Sequence, residues 1–119
     1  MTDQVKEKRA ALLQEELLRF LRVIVSQMKP HQVLLFGSLA TDTVDEWSDL
    51  DLVVITDTTL PFYDRIKYVI TQFRPRVGID VLVYTPEEWD TLAKDRLFVR
   101  EEIIRKGKVV YERRSDPVA

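Results

Sequence analysis

Val33-Leu34-Leu35-Phe36-Gly37-Ser38, a gap of ten residues, and then Asp49-Leu50-Asp51-Leu52-Val53-Val54-Ile55 decide how this 119-residue chain folds. The first run is short and wholly apolar before its Gly-Ser break, which predicts a buried strand ending in a turn. The second predicts another strand, reached through a polar loop from Thr41 to Ser48. Side chains two apart on a strand share a face, so Asp49 and Asp51 project together while Leu50 and Leu52 turn to the core. A third run, Ile79-Asp80-Val81-Leu82-Val83-Tyr84, is rich in β-branched residues and carries one more aspartate inside a predicted strand.

Helices are expected around these strands. Leu13, Leu17, Leu21, Ile24 and Met28 recur every three to four residues, with Glu15, Glu16, Arg19 and Arg22 assigned to the opposite side, so residues 3 to about 28 read as an amphipathic helix stopped by Pro30. Phe62, Ile66, Val69, Ile70 and Phe73 mark a second helix, ended by Pro75 and Gly78. Thr85-Pro86-Glu87-Glu88 is a helix start, with Thr85 as cap, Pro86 in the first turn and Glu88 reaching back. Trp89, Leu92, Val99 and Ile103 do not hold one phase, which leaves one helix or two open. Gly107 is expected as a left-handed cap before a last strand, Lys108 to Glu112. With no repeat or linker, the pattern predicts one α/β domain over 1–119: a leading helix 3–28, a core of about 31–112 built on a single mixed sheet of about four strands packed with helices, and a frayed tail 113–119.

Composition narrows the chemistry. The hydrophobic share of 45% and charged share of 32% are those of a soluble globular protein, and no apolar run suits a membrane span. The N-terminal residues lack a secretory plan, and a cytoplasmic location is expected. No cysteine means no disulfide, thiol nucleophile or thiolate zinc site, and a single His31 excludes multi-histidine centres. Any metal is then held by oxygen, which favours Mg²⁺ or Mn²⁺. A net charge of −2 argues against a nucleic-acid-tracking surface.

The aspartates carry the functional signal. Asp49 and Asp51 would have α-carbons roughly 6.6 Å apart. Their side chains could bridge ions about 3.5–4 Å apart, the spacing that clamps both oxygens of a phosphoryl displacement. Asp80, on a strand about 4.8 Å away, would close the triad. Two such carboxylates repel by about 2.8 kcal/mol at an effective dielectric of 20, against about 0.7 kcal/mol in water, so a half-buried triad calls for a cation. Taken singly each aspartate has a bland reading as a cap or a solvent-facing residue; the combination with Gly37-Ser38 gives them weight.

Gly37-Ser38, ten residues, Asp49-Leu50-Asp51 and a later Asp80 resemble the minimal nucleotidyltransferases of the polymerase-β superfamily, and the likeness runs from about Val33 to Tyr111. The resemblance implies a polymerase-β-like fold and transfer of a nucleoside monophosphate, AMP for preference, from ATP or another nucleotide triphosphate. It implies that Gly37 and Ser38 hold the triphosphate, that Asp49, Asp51 and Asp80 bind two Mg²⁺ (or Mn²⁺), and that Asp80 helps activate the acceptor. Small members are often antitoxins paired with a HEPN-domain toxin, some of them thought to silence it by attaching AMP, so a protein acceptor of that kind and an oligomeric complex are implied. Family members commonly continue Gly-Ser-x-Ala-Arg-Gly, whereas Thr41-Asp42 stand here after Ala40. That departure motivates an alternative, an antitoxin acting by surface contact alone; a small-molecule nucleotidyltransferase is a third reading. Of the remaining candidates, His31 reads as a turn residue, Trp47 and Trp89 as packing before base stacking, and Arg105, Lys106, Lys108, Arg113 and Arg114 as a solvated basic end.

Overall fold

Each apolar run forms a strand of one mixed sheet in the computed structural model, which describes residues 2–114. The strands are Gln32–Phe36 (β1), Leu50–Ile55 (β2), Ile79–Tyr84 (β3) and Lys108–Glu112 (β4), in the order β3-β2-β1-β4. β1 is antiparallel to β2 and to β4, and β2 is parallel to β3. A parallel pair needs a crossover, and helix α3, Phe62–Phe73, supplies it.

Both faces of the sheet are covered, which is why β2 reads as an almost unbroken apolar run. On one face Leu13, Leu17, Phe20 and Ile24 of α1 (Thr2–Met28) and Val69 and Phe73 of α3 pack on Val33, Leu35, Leu52, Val54, Val81 and Val83. Phe20 and Phe73 meet edge to face with centroids 5.0 Å apart. On the other face Trp89 of α4 (Pro86–Asp95) packs with Leu34, Val53 and Ile55, joined by Val99 and Ile103 of a π-helix, Val99–Arg105. Burying each such large apolar side chain is worth about 1.5–3 kcal/mol. Trp89 is therefore a packing residue, as its position at a helix start suggests. Among the described residues no helix is long and apolar enough to cross a membrane.

The capping box at Thr85 forms as the sequence implies. The Thr85 hydroxyl accepts from the Glu88 N–H at 3.2 Å and the Glu88 carboxylate accepts from the Thr85 N–H at 2.8 Å. The phase break after Leu92 resolves into two helical stretches, α4 and one that runs from Leu97 into the π-helix, separated at the extended Arg96. A one-turn helix, α2 (Ser38–Thr41), follows the Gly-Ser turn and was not foreseen.

Three expectations about the helices and the tail need correction. Glu16 does not lie on a solvated face: it is 4% exposed, accepts two bonds from Arg19, and takes the Arg76 N–H at 2.5 Å. Arg19 in turn donates to the Phe73 and Arg74 carbonyls and stacks over the Phe73 ring at 4.0 Å, so the pair ties α1 to the end of α3. The bonds from the Arg19 guanidinium, and after them the one from the Arg76 backbone N–H, hold the Glu16 carboxyl below its ordinary pKa despite burial. Gly107 is not left-handed; a Cβ there would run into the Ile103 and Leu35 carbonyl oxygens, so close backbone approach is what it serves. Arg113, placed in a frayed tail, donates its N–H to the His31 carbonyl at 2.9 Å and its side chain to the Lys29 carbonyl; residues 115–119 of that tail lie outside the described residues.

Arg65 is the second buried charge. It is 7% exposed and donates to the carbonyls of Leu60 (2.8 Å) and Val83 (3.2 Å) and to both oxygens of Glu88, the nearer at 2.6 Å. One guanidinium thereby joins the start of α3, the end of β3 and the cap of α4. Truncation leaves two carbonyls and a carboxylate without their donor, so Arg65→Ala is expected to cost about 2–3 kcal/mol, visible as a lower urea midpoint with unchanged slope. A loss under half a kcal/mol would mean that water replaces the arginine freely.

Candidate active site

The sheet register builds the site. Phe36, the last residue of β1, lies opposite Asp51 on β2, and Asp51 lies beside Asp80 on β3, so the three share one face at one end of the sheet. The adjoining row, Leu35, Leu52 and Val81, points the other way into the core. α4 and the π-helix cover this face farther along, over Val53 and Ile55, and leave the Asp51–Asp80 end open. Asp49 precedes β2, its backbone neighbour Leu50 bonding through its N–H to the Gly78 carbonyl at 3.0 Å.

Two glycines make room for the acids. Gly37 has φ 75° and ψ −158°, a combination essentially confined to glycine, and a Cβ on it would overlap the Asp51 carboxylate. A Cβ on Gly78 would likewise meet the Asp49 carboxylate. The Gly37 carbonyl accepts the N–H groups of Ala40 and Thr41, and the Thr41 hydroxyl also reaches it. Asp42 closes α2 in the left-handed conformation, φ 57°. Asp tolerates that conformation better than most residues, so Thr41-Asp42 completes the turn without an arginine-glycine pair.

Asp51 is half-buried, whereas Asp49 and Asp80 are exposed. Burial first, then the negative charges of Asp80 and Asp49, push the Asp51 carboxyl up to about 6. The charges of Asp80 and Asp49 thus both act on Asp51. Among the described residues no three such side chains close tightly enough to hold an ion by themselves. An open set of oxygen donors, with glycine-lined cradles and a carboxyl that burial makes reluctant to ionise alone, is compatible with a hard divalent cation such as Mg²⁺. That ion takes one or two carboxylates from a protein and fills its other positions with water and substrate phosphate.

Residues that the motif did not single out also reach the site. Arg9 of α1 lies 3.9 Å from Asp49, and Gly78 supports the same residue. No sequence signal marks Arg9, which sits on the polar side of a helix forty residues before its partner. Trp47 is 80% exposed at the loop tip and so is not part of the core, contrary to its packing reading. His31 lies at the far end of β1, bonded to Asp57 at 3.0 Å and to Arg113, consistent with a turn residue. In the basic end, Arg105 and Lys106 pair with Glu101 and Glu102.

Comparison with known proteins agrees with this fold. The family model described as "Polymerase beta, Nucleotidyltransferase" matches residues 20–116. The chain is 30% identical over 109 residues to the Haemophilus influenzae protein described as probable protein adenylyltransferase MntA, covering 89% of this chain and 88% of that one. A Sulfolobus solfataricus crystal structure, assigned to a nucleotidyltransferase, superposes with a TM-score of 0.66 at 18% identity, over 92% of this chain and 88% of its own, a likeness of fold. Turn, strands and aspartates all fall within the matched span, and the chain belongs to the polymerase β nucleotidyltransferase family.

Proposed function

We propose that the chain is a single-domain adenylyltransferase that moves AMP from ATP to a hydroxyl of a protein acceptor, with a HEPN-domain toxin as the acceptor and the chain as its antitoxin. The observation that carries this reading is the half-buried Asp51, in register with Asp80 and packed on the Gly37 turn at the open end of the sheet. Family membership and the likeness to a protein described as an adenylyltransferase support nucleotide transfer. In this reading Asp49, Asp51 and Asp80 would hold Mg²⁺, and the backbone N–H groups and hydroxyl of Gly37-Ser38 would donate to the triphosphate. Bound there, the metal would supply charge neutralisation for the attacking and leaving oxygens.

The residues then divide the work. Asp80, exposed at the rim, accepts the acceptor's proton as its oxygen bonds to the α-phosphorus. The bond from that phosphorus to the bridging oxygen breaks on the opposite side, and pyrophosphate leaves past the Gly37 turn. The apolar rows behind Asp51 exclude water from the rear of the site.

Incubation with α-labelled ATP, Mg²⁺ and the protein encoded beside this one tests the proposal. Label should appear on the partner and vanish with Asp49→Ala plus Asp51→Ala; label that survives both changes rejects the assigned site. Thr41-Asp42 in place of the family's usual Arg-Gly motivates the second reading, inhibition by contact alone. It would be favoured if the same double variant, devoid of label, still neutralised the partner in cells.

A further inference from the structure

Arg9 projects from the N-terminal half of α1 toward the loop that ends in Asp49. Its Nε donates to the Ser48 carbonyl at 2.9 Å, and its Nη2 lies 3.9 Å from Asp49 Oδ1. The Arg9 side chain is 23% exposed and that of Asp49 is 55% exposed, so the guanidinium is held by its surroundings while the carboxylate has freedom to turn. The loop under it is ordered by its own bonds: Asp45 Oδ1 accepts the Trp47 N–H at 2.8 Å, and Ser48 Oγ accepts the Asp45 N–H at 2.9 Å. The other ion pairs of the described residues join Glu16 to Arg19, His31 to Asp57, Arg65 to Glu88, Arg105 to Glu101 and Lys106 to Glu102. Among the described residues, Arg9 is thus the cation paired with a site aspartate.

We infer that Arg9 is a positioning residue that competes with the metal: its guanidinium holds one side of Asp49 in the metal-free protein, and a divalent cation must displace that contact to take the carboxylate. The inference rests on the assignment of Asp49 as a metal ligand. Two parts of the side chain do different things. The Nε bond fixes the end of the loop whether or not metal is present, because its acceptor is backbone. The Nη2 contact is long and weak for an ion pair, and gives way. The site's affinity for metal is therefore set partly from α1, and the repulsion among the acids is relieved while the site waits.

A competitor, a strut and a bystander predict different signs, which separates them. Mn²⁺ binding is followed by the loss of the free-ion electron paramagnetic resonance signal, at low ionic strength and without nucleotide. Arg9→Gln and Arg9→Met remove the charge, and both are expected to bind Mn²⁺ about fivefold more tightly, the factor a unit charge about 4 Å away is worth in water. Arg9→Lys should stay within about twofold of the parent, and the gain in the neutral variants should shrink in about 0.5 M salt as screening sets in. Unchanged affinity in the neutral variants makes Arg9 a bystander, and weakened affinity makes it only a strut; either overturns the inference. If neither neutral variant folds, the ¹⁵N resonances of the Arg9 guanidinium in the unaltered protein decide: they should move as Mg²⁺ saturates, and silence overturns the proposal. Asp49→Ala separates the two levels of argument. Binding that survives it unweakened removes the site assignment, whereas binding that it weakens, with no gain in the Arg9 variants, removes the Arg9 inference alone.

Discussion

Asp51→Asn is expected to lower nucleotidyl transfer by about three orders of magnitude and, in the same molecule, to make the metal-free protein more stable at neutral pH. The first effect follows from the loss of the half-buried carboxylate nearest the Gly37 turn, since one group that stabilises transition-state charge contributes about 10²–10³ in rate and metal affinity falls as well. The second follows from electrostatics. The Asp51 carboxyl titrates at about 6 in the fold, against 3.8 for an unperturbed aspartate, through burial and the charges of Asp80 and Asp49. Between those values the folded chain holds a proton that the unfolded chain releases, so stability falls as pH rises through the window, and above it the whole penalty is present. Because Asp51 keeps some solvent contact, screening reduces that penalty to about 1 kcal/mol. Asn has no charge to bury, and its melting temperature at pH 7 should exceed that of the parent by roughly 4 °C.

The pH profile makes the cause identifiable. The parent should gain stability on acidification from about pH 6 toward 4.5, and Asp51→Asn should not. Glu16 and Glu88 act in the opposite sense. Their carboxyls are held below the ordinary value, chiefly by hydrogen bonds from Arg19 and Arg65 respectively. They therefore stabilise the fold above about 4.5, and that contribution drains away as pH falls through their folded values. Mg²⁺ at pH 7 should raise the melting temperature of the parent and do little for the variant, because the cation removes the same repulsion. Differential scanning calorimetry of both proteins from pH 4 to 8, with and without metal, reads every arm. A variant less stable than its parent at pH 7 would show that Asp51 is a structural residue.

How far the sequence discloses this molecule depends on whether a residue's role follows from apolar patterning or from a distant partner. The strands at Val33, Leu50 and Ile79 are legible because burial on one or both faces leaves its mark on consecutive residues, whereas the strand at Lys108 buries no residue fully and is legible from Val109-Val110-Tyr111 after Gly107. The same periodicity puts Asp51 and Asp80 on strand positions that the register then makes neighbours. Patterning is blind to charges that are buried because they are paired. Glu16 and Arg65 sit among polar letters and look solvated, yet each closes a junction between elements far apart in the chain. Gly107 reads as the commonest use of glycine after a helix, whereas it is constrained by the Ile103 carbonyl and also by that of Leu35, more than seventy residues earlier. Arg9 is hidden for the same reason: its meaning comes from where α1 lies against the 42–49 loop, and nothing in the helix itself encodes that. Of the site, the motif exposes the groups proposed to meet metal and phosphate, and leaves out what orients them.

Gly37→Ala tests the turn on which those groups rest, and it should be nearly as damaging as loss of Asp51. The backbone there, φ 75° with ψ −158°, costs an alanine about 1–3 kcal/mol wherever it is forced. The added methyl also falls on the Asp51 carboxylate, so either the turn relaxes or the aspartate moves. Relaxing the turn drags the Gly37 carbonyl from Ala40, Thr41 and the Thr41 hydroxyl, which all bond to it. Moving the aspartate takes it out of line with Asp80. Displacement of a reacting group by about 1 Å is enough for a hundredfold loss in rate, and transfer should fall by at least that, with about 2 kcal/mol of stability lost as well. Gly78→Ala is the control. Its backbone is not left-handed, and the carboxylate in its way belongs to the exposed Asp49, which can swing aside. That variant should keep most of its stability and lose activity through Asp49 alone. Measured side by side, equal stability losses at the two glycines would mean that strain at Gly37 is not what holds the turn. Full activity in Gly37→Ala would mean that the turn does not set the position of Asp51.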